Sequence, residues 1–229
     1  MAMTPTLSPL LIITKMKTDT HSFILWSGGK DSTYLVWDRL KRGGSVTAAY
    51  VEVSNNETKT LAEIGAINKM ADFFRRTFPG KFTFEKIAKV CLESGGGELI
   101  LKQPILWLLP AAYAISAEKF NEVSIGYVMN DDAISYLDDF KRIWKSLSRL
   151  SANGFPPLTF PLYRQGSEIK LDLPDEIREL CVYCEVPTPK ADGDGFQPCG
   201  YCDKCKKVGA VKSSEGSVVL HSEEISFDI

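Results

Sequence analysis

The stretch of this chain best equipped for chemistry is Ser27-Gly28-Gly29-Lys30-Asp31-Ser32-Thr33. Two adjacent glycines let a backbone turn tightly and come close to a bound anion. The N–H groups of a loop and of a following helix's first turn lack intrahelical partners, so they can cradle phosphate. Ser27, Ser32 and Thr33 add hydroxyl donors, and Lys30 adds a positive charge. Asp31 would repel phosphate and suits a Mg²⁺ ion or a bracing role in the loop. All seven residues are therefore nucleotide-binding candidates, with Lys30 and Asp31 also catalytic ones. The pattern is not the Walker A sequence, which needs G-x-x-x-x-G-K-[ST]. The plain alternative is an ordinary Gly-Gly turn between a strand and a helix.

The second reactive group is sulfur. Of six cysteines, five fall between Cys181 and Cys205, and Cys199, Cys202 and Cys205 place three thiols in seven residues. A Cys-x-x-Cys turn presents two sulfurs to one ion, and tetrahedral Zn²⁺ takes four ligands. The fourth is Cys184 or Cys181, supplied from across a loop holding Pro187, Pro189, Gly193 and Gly195. Cys184 is preferred because it lies nearer that loop. An all-thiolate, closed site is structural rather than catalytic. An iron–sulfur cluster or a redox pair are the other readings of such spacing. Cys91 stands apart and reads as a core residue.

These residues need elements to hold them. Phe23, Ile24, Leu25 and Trp26 form a continuous apolar run, as a buried parallel strand does. Leu35, Val36 and Leu40 recur at helical spacing beyond the loop, and Gly43-Gly44 ends that helix. Further strands are expected at 46–53, 82–87, 122–127 and 158–162. Helices are expected at 57–78, at 108–120 with Pro110 in the first turn, within 131–153 and at 173–180; a glycine-rich crossover is expected at 91–97. Strands alternating with helices predict an α/β fold: a doubly wound, mainly parallel, five-stranded sheet of Rossmann type with a small C-terminal zinc-binding region. The expected organisation is a loose tail at 1–20, an ATP-binding domain at 21–175 and a zinc-binding region at 176–229. Ligands in such sheets bind beyond the carboxyl ends of the strands.

Composition narrows the classes. The chain has 229 residues, 44% hydrophobic and 24% charged, with a net charge of −2. That charge supplies no general attraction for nucleic acid, and no direct nucleic-acid binding is expected. Two histidines exclude a His-rich metal centre. Clustered rather than spread cysteines suit a metal site in a reducing compartment, and no secretory or bilayer-spanning segment is legible, so a cytoplasmic protein with no membrane partner is expected.

The Ser27–Ser32 hexapeptide resembles the PP-loop of ATP pyrophosphatases, whose members split ATP between the α and β phosphates and use the AMP to activate a carboxylate or carbonyl oxygen. Taken with Pro198-Cys199-Gly200-Tyr201-Cys202-Asp203-Lys204-Cys205-Lys206-Lys207, it makes the chain resemble 7-cyano-7-deazaguanine synthases over most of residues 22–210. Weaker agreement comes from Ala111-Ala112-Tyr113-Ala114 with Glu118, from Ile125-Gly126, from Asp132-Ala133-Ile134-Ser135-Tyr136-Leu137-Asp138, and from Pro161-Leu162. Four places depart. Gln103-Pro104 stands where an Arg-Asn pair is usual, and 53–56 where a Tyr-Gly-Gln-Arg turn is usual. No lysine follows Pro161-Leu162, and Leu137 replaces a proline. The loop and the cysteines are retained while the substrate end has drifted.

The resemblance implies an adenine nucleotide alpha hydrolase-like fold, ATP, Mg²⁺ and Zn²⁺. It also implies an ATP-dependent ligase that adenylates 7-carboxy-7-deazaguanine, forms the amide with ammonia, and converts it to the nitrile. Such enzymes are commonly homodimers. Asp132 would serve catalysis and, with Asp138, accept hydrogen bonds from a guanine-like edge, and Tyr136 would stack on it. The plain reading of Asp131, Asp132, Asp138 and Asp139 is a solvated acidic helix start. For Gln103 it is an exposed helix-start residue. Other functional classes are the same adenylation aimed at a protein amine or nucleic-acid base, a tRNA-sulfurating enzyme, and a non-catalytic zinc-stabilised nucleotide-binding module.

Overall fold

The computed structural model describes residues 20–54, 56–91, 103–115, 119–129, 131–164, 172–193 and 195–206. The expected tail up to residue 19, the 92–97 part of the crossover, Asn55, Glu118 and residues 165–168, where the lysine expected after Pro161-Leu162 is missing, lie outside them.

Five parallel strands form one sheet in the order β3-β2-β1-β4-β5. They are β1 (His21–Leu25), β2 (Ser45–Ser54), β3 (Phe82–Cys91), β4 (Glu122–Ile125) and β5 (Leu158–Thr159). Four helices cover its two faces: α1 (Lys30–Lys41) and α2 (Glu57–Thr77) on one, α3 (Pro104–Ala114) and α4 (Leu137–Leu150) on the other. Side-chain alternation along a strand explains the division. Phe23 and Leu25 of β1 pack toward α3 and α4, while Ile24 and the following Trp26 pack toward α1 and α2. Trp26 is 1% exposed and meets the rings of Phe74, Phe82 and Phe84 edge-on at 5.9, 6.0 and 5.7 Å. The doubly wound parallel fold is as expected.

Boundaries moved where pairing or backbone chemistry decided them. β3 runs on to Cys91 because β2, which reaches Ser54, offers it partners that far. β4 stops at Ile125, where Tyr127 N–H turns back onto the Ile125 carbonyl at 3.2 Å. β5 stops at Thr159, ahead of Pro161, which has no N–H for a ladder. α3 begins at Pro104, whose fixed φ and missing N–H suit a first turn; Pro110 is then inside the helix rather than in the first turn as expected. α5 (Asp175–Arg178) is shorter than the predicted helix. Cys91, read as a core residue, is exposed at the end of β3. The Pro- and Gly-rich stretch before the last cysteines, expected as a loop, folds as a small antiparallel hairpin, β6 (Thr188–Pro189) with β7 (Phe196–Gln197). No helix among the described residues is long and apolar enough to cross a membrane.

Candidate nucleotide and metal site

The strand order reverses direction at β1, flanked by β2 on one side and β4 on the other. Such a switch point opens a crevice at the carboxyl ends, and the Ser27–Lys30 loop leaves β1 there. Gly28 sits at φ +74, and a Cβ on it would lie 3.0 Å from Ile67 Cγ1 of α2. Gly29 is the N-cap of α1, and the first helical bond is Thr33 N–H to the Gly29 carbonyl at 3.0 Å. The N–H groups of Lys30, Asp31 and Ser32 therefore have no intrahelical acceptor and face the crevice end of the helix. Ser32 Oγ donates to the Gly29 carbonyl at 3.2 Å and lies 3.3 Å from Ser27 Oγ, bracing the loop internally.

Gly126, just after β4, fixes how closely this helix start seats. A Cβ there would lie 2.9 Å from both the Cα and N of Ser32 and 3.0 Å from the carbonyl carbon of Asp31. Only hydrogen fits.

Thr33 is a correction. It was expected to offer its hydroxyl to phosphate, but it is fully buried; its Oγ1 accepts from Trp26 Nε1 at 2.9 Å and donates to Met70 Sδ at 3.8 Å. Helical phase turns it into the core, where it satisfies the indole.

The acid that faces Asp31 is Asp131, one position before the predicted Asp132. Burial, and then the negative charge of Asp131, push the Asp31 carboxyl up to about 6, against the pull of Lys30 and Lys204. Asp131 is fixed by a 3.0 Å bond from Val128 N–H and lies 3.8 Å from Lys204 Nζ. Asp132 is exposed; with Asp131 it helps burial hold the Tyr127 phenol protonated. Tyr136 lies in a single 3-10 turn (Ile134–Tyr136) and is exposed. Asp138, in the first turn of α4, pairs with Lys141 at 3.7 Å, the ordinary partnership of an exposed helix surface. The structure thus brings Asp31, Lys30, Asp131 and Lys204 together, and it leaves the predicted trio Asp132, Tyr136 and Asp138 on exposed positions.

Beside the loop, a narrow slot over the ends of β1 and β2 is lined by Trp26, Ser27, Tyr50, Glu63, Gln103 and Trp107. Tyr50 Oη donates to Glu63 Oε2 at 2.9 Å, and burial raises the Glu63 carboxyl above its usual range. Gln103, expected to be exposed, is half-buried in this wall. Neither Glu63 nor Tyr50 was singled out from sequence. Their only signal there is that one follows β2 into α2 while the other lies within β2.

The sulfurs of Cys184, Cys199, Cys202 and Cys205 lie within 4.8 Å of one another. Cys184–Cys202 and Cys199–Cys205 are each 3.9 Å apart, far from a disulfide. A tetrahedron of Zn–S bonds about 2.3 Å long has edges of about 3.8 Å, so the four thiols fit that ion. Backbone N–H groups point at the sulfurs: Cys199 to Cys184 at 3.2 Å, Cys202 to Cys199 and Cys205 to Cys202 at 3.4 Å each. Burial opposes ionisation of Cys202, but N–H groups from Glu185 and Cys205, together with hydrogen bonds from the Cys205 and Cys199 thiols, bring its thiol to about 6. Cys181 is not in the group. It is partly buried beside Thr33, donates to the Ile177 carbonyl at 3.4 Å, and its thiol is pushed up to about 11, chiefly by desolvation.

The cysteine region is docked on the crevice. Val182 N–H donates to the Gly28 carbonyl at 3.0 Å, and Asn56 Nδ2 to the Glu185 carbonyl at 3.1 Å. Lys59 of α2 pairs with the Glu185 carboxylate, and Lys204, between two of the cysteines, reaches Asp131.

No protein-family profile and no curated protein sequence matches the chain. Among solved structures it is similar to one described as a predicted subunit of tRNA methyltransferase from Methanocaldococcus jannaschii. The identity is 14% and the TM-score 0.37, over 85% of this chain and 88% of that one. A likeness at that score carries no argument about this chain.

Proposed function

We propose that the protein is a PP-loop ATP pyrophosphatase-type ligase that adenylates 7-carboxy-7-deazaguanine and, with ammonia, converts it to the amide and then to 7-cyano-7-deazaguanine. The observation that carries the ATP part is the Ser27–Lys30 loop at the β1/β4 switch point, its helix-start N–H groups without intrahelical acceptors beside the Asp31–Asp131 pair. The deazapurine part rests on the sequence resemblance.

In this reading the loop amides and Lys30 hold the phosphates and take up charge as pyrophosphate leaves, as preorganised donors do in a water-poor site. The substrate carboxylate attacks the α-phosphorus, the bond to the bridging α–β oxygen breaks, and pyrophosphate departs. Ammonia then attacks the acyl carbon, expelling AMP and losing a proton. The amide oxygen then attacks the α-phosphorus of a second ATP, pyrophosphate departs, and loss of AMP with the two amide protons leaves the nitrile. Asp31 and Asp131 would hold Mg²⁺, whose charge offsets that of the phosphates; burial beside a like charge leaves Asp31 in need of a cation. Cys184, Cys199, Cys202 and Cys205 would hold Zn²⁺ as a structural clamp for the segment docked on the loop.

The test is one incubation of purified protein with Mg²⁺–ATP, an ammonium salt and 7-carboxy-7-deazaguanine, read by mass spectrometry. Nitrile with AMP supports the full reading. Amide alone, or AMP without either product, keeps adenylation and moves the acceptor elsewhere. No AMP contradicts an enzymatic role with this substrate.

A further inference from the structure

Lys204 lies between two members of the cysteine cluster, two residues after Cys202 and one before Cys205, on a helical turn at 203–206. Its side chain leaves the cluster and reaches Asp131 on the far side of the crevice, 3.8 Å from Oδ1. Asp131 is 16% exposed and fixed through its other oxygen by Val128 N–H; Lys204 is 50% exposed and bound only at the limit of an ion pair. The carboxylate is anchored, while the lysine side chain is half exposed and its pairing is long. The charge of Lys204 is also felt at Asp31, at the start of α1, where Lys30 acts from the loop itself. Two lysines from distant parts of the chain thus act on the same carboxylate, Asp31, and one of them also pairs with Asp131.

We infer that Lys204 is a phosphate-binding residue that the metal-clamped cysteine segment delivers to the Ser27–Lys30 loop, making nucleotide binding depend on that segment. The inference rests on the proposed ATP site and adds to it. A lysine paired loosely with an anchored carboxylate can reorient toward a phosphate that enters beside it, whereas a buried bidentate pair could not. The four thiols set the backbone that carries the lysine. Three contacts hold that backbone to the rim: Val182 to Gly28, Asn56 to Glu185 and Lys59 to Glu185. The cysteine cluster then does more than stabilise the chain terminally, because it completes the positive wall of the crevice.

The test uses the full chain as wild type, Lys204→Met and Lys204→Arg. Bound zinc is measured by atomic emission and thermal unfolding by calorimetry. Titrations with ATP, inorganic pyrophosphate and AMP follow. Lys204→Met is expected to keep its zinc and its unfolding temperature. It should bind pyrophosphate and ATP about 5- to 30-fold more weakly than wild type, as loss of one charge-assisted phosphate contact does, and the loss should shrink with added salt. AMP, with a single phosphate, should be affected less. Lys204→Arg keeps the charge and should recover most of the affinity. Unchanged pyrophosphate affinity in Lys204→Met, with wild type binding well, overturns the inference and leaves the loop reading standing. Wild type that binds neither ATP nor pyrophosphate overturns the loop reading itself. If Lys204→Met loses zinc, Lys204→Arg decides: zinc retained with affinity still lost shows that charge at this position is not what binds, and zinc and affinity both retained supports the inference.

Discussion

Val182 donates its N–H to the carbonyl of Gly28, 3.0 Å away, so the segment leading into the cysteine cluster is bonded directly to the turn of the nucleotide loop. Two features 154 positions apart in sequence are thereby one structural unit, and damage to either should be felt at the other.

Replacing any of Cys184, Cys199, Cys202 or Cys205 with serine should lower zinc affinity by more than about tenfold, a loss that outer-shell changes alone can reach. The same variants should bind ATP more weakly, because Lys204 and the Val182–Gly28 bond lose their support. Cys181→Ser, outside the cluster, should keep full zinc. Metal analysis and ATP titration check both; a Cys181 variant that loses zinc as the others do would contradict the assignment.

Gly126→Ala should reposition the start of α1. The added Cβ would lie 2.9 Å from backbone atoms of Ser32, which cannot swing aside. Overpacking of this kind costs about 1–3 kcal/mol, and ATP affinity should fall with it. Gly65→Ala is the control: nothing lies within 4 Å of its Cβ position, and alanine in a helix interior should stabilise by about 0.5–1 kcal/mol. Urea unfolding of the two variants should move in opposite directions.

Asp31→Asn should separate stability from activity. The carboxyl is held up to about 6 from an ordinary 3.8, first by burial and then by Asp131. The folded chain therefore binds more protons than the unfolded one between those values. The stabilisation from protonated Asp31 is full below pH 3.8 and is lost as pH rises through 6. About two pKa units correspond to at most about 3 kcal/mol. Nucleotide-free Asp31→Asn should lose less stability than wild type between about pH 4.5 and pH 7.5, while ATP turnover falls at least about a hundredfold. Parallel pH dependences in the two proteins would contradict the burial argument.

Thr33→Val should act on the core and not on the nucleotide. It leaves Trp26 Nε1 without its 2.9 Å acceptor, a loss of about 1–3 kcal/mol for a buried donor. Unfolding should shift by that amount and tryptophan fluorescence should change, with ATP affinity per folded molecule preserved. A selective loss of ATP binding at unchanged stability would restore Thr33 to the phosphate site.

The sheet, its parallel sense and the position of the loop were legible because they follow from local patterns: an apolar run, two glycines, and alternation that turns helical at Lys30. The three-thiol spacing was legible for the same reason, and Cys184 as its companion followed from proximity along the chain. What depended on contacts between distant segments was not. Thr33 is a hydroxyl in the right place by sequence, and only the Trp26 indole behind it shows that it is spent in the core. Asp131 and Asp132 are neighbours of identical type; the Val128 N–H that turns one toward the crevice is invisible in the letters. Lys204 reads as one more basic residue until the docked cysteine segment brings it across. The start of α3 was misplaced because Pro104 and Pro110 each fit a first turn, and only one can be first.

We propose that the crevice splits ATP between its α and β phosphates. Phosphorus NMR of the full-length protein with Mg²⁺–ATP, ammonium and 7-carboxy-7-deazaguanine tests it directly. Signals of AMP and pyrophosphate should grow together, depend on the acid, and be abolished in Lys30→Met. Growth of ADP and inorganic phosphate instead, or no change in ATP with the acid present, would contradict it.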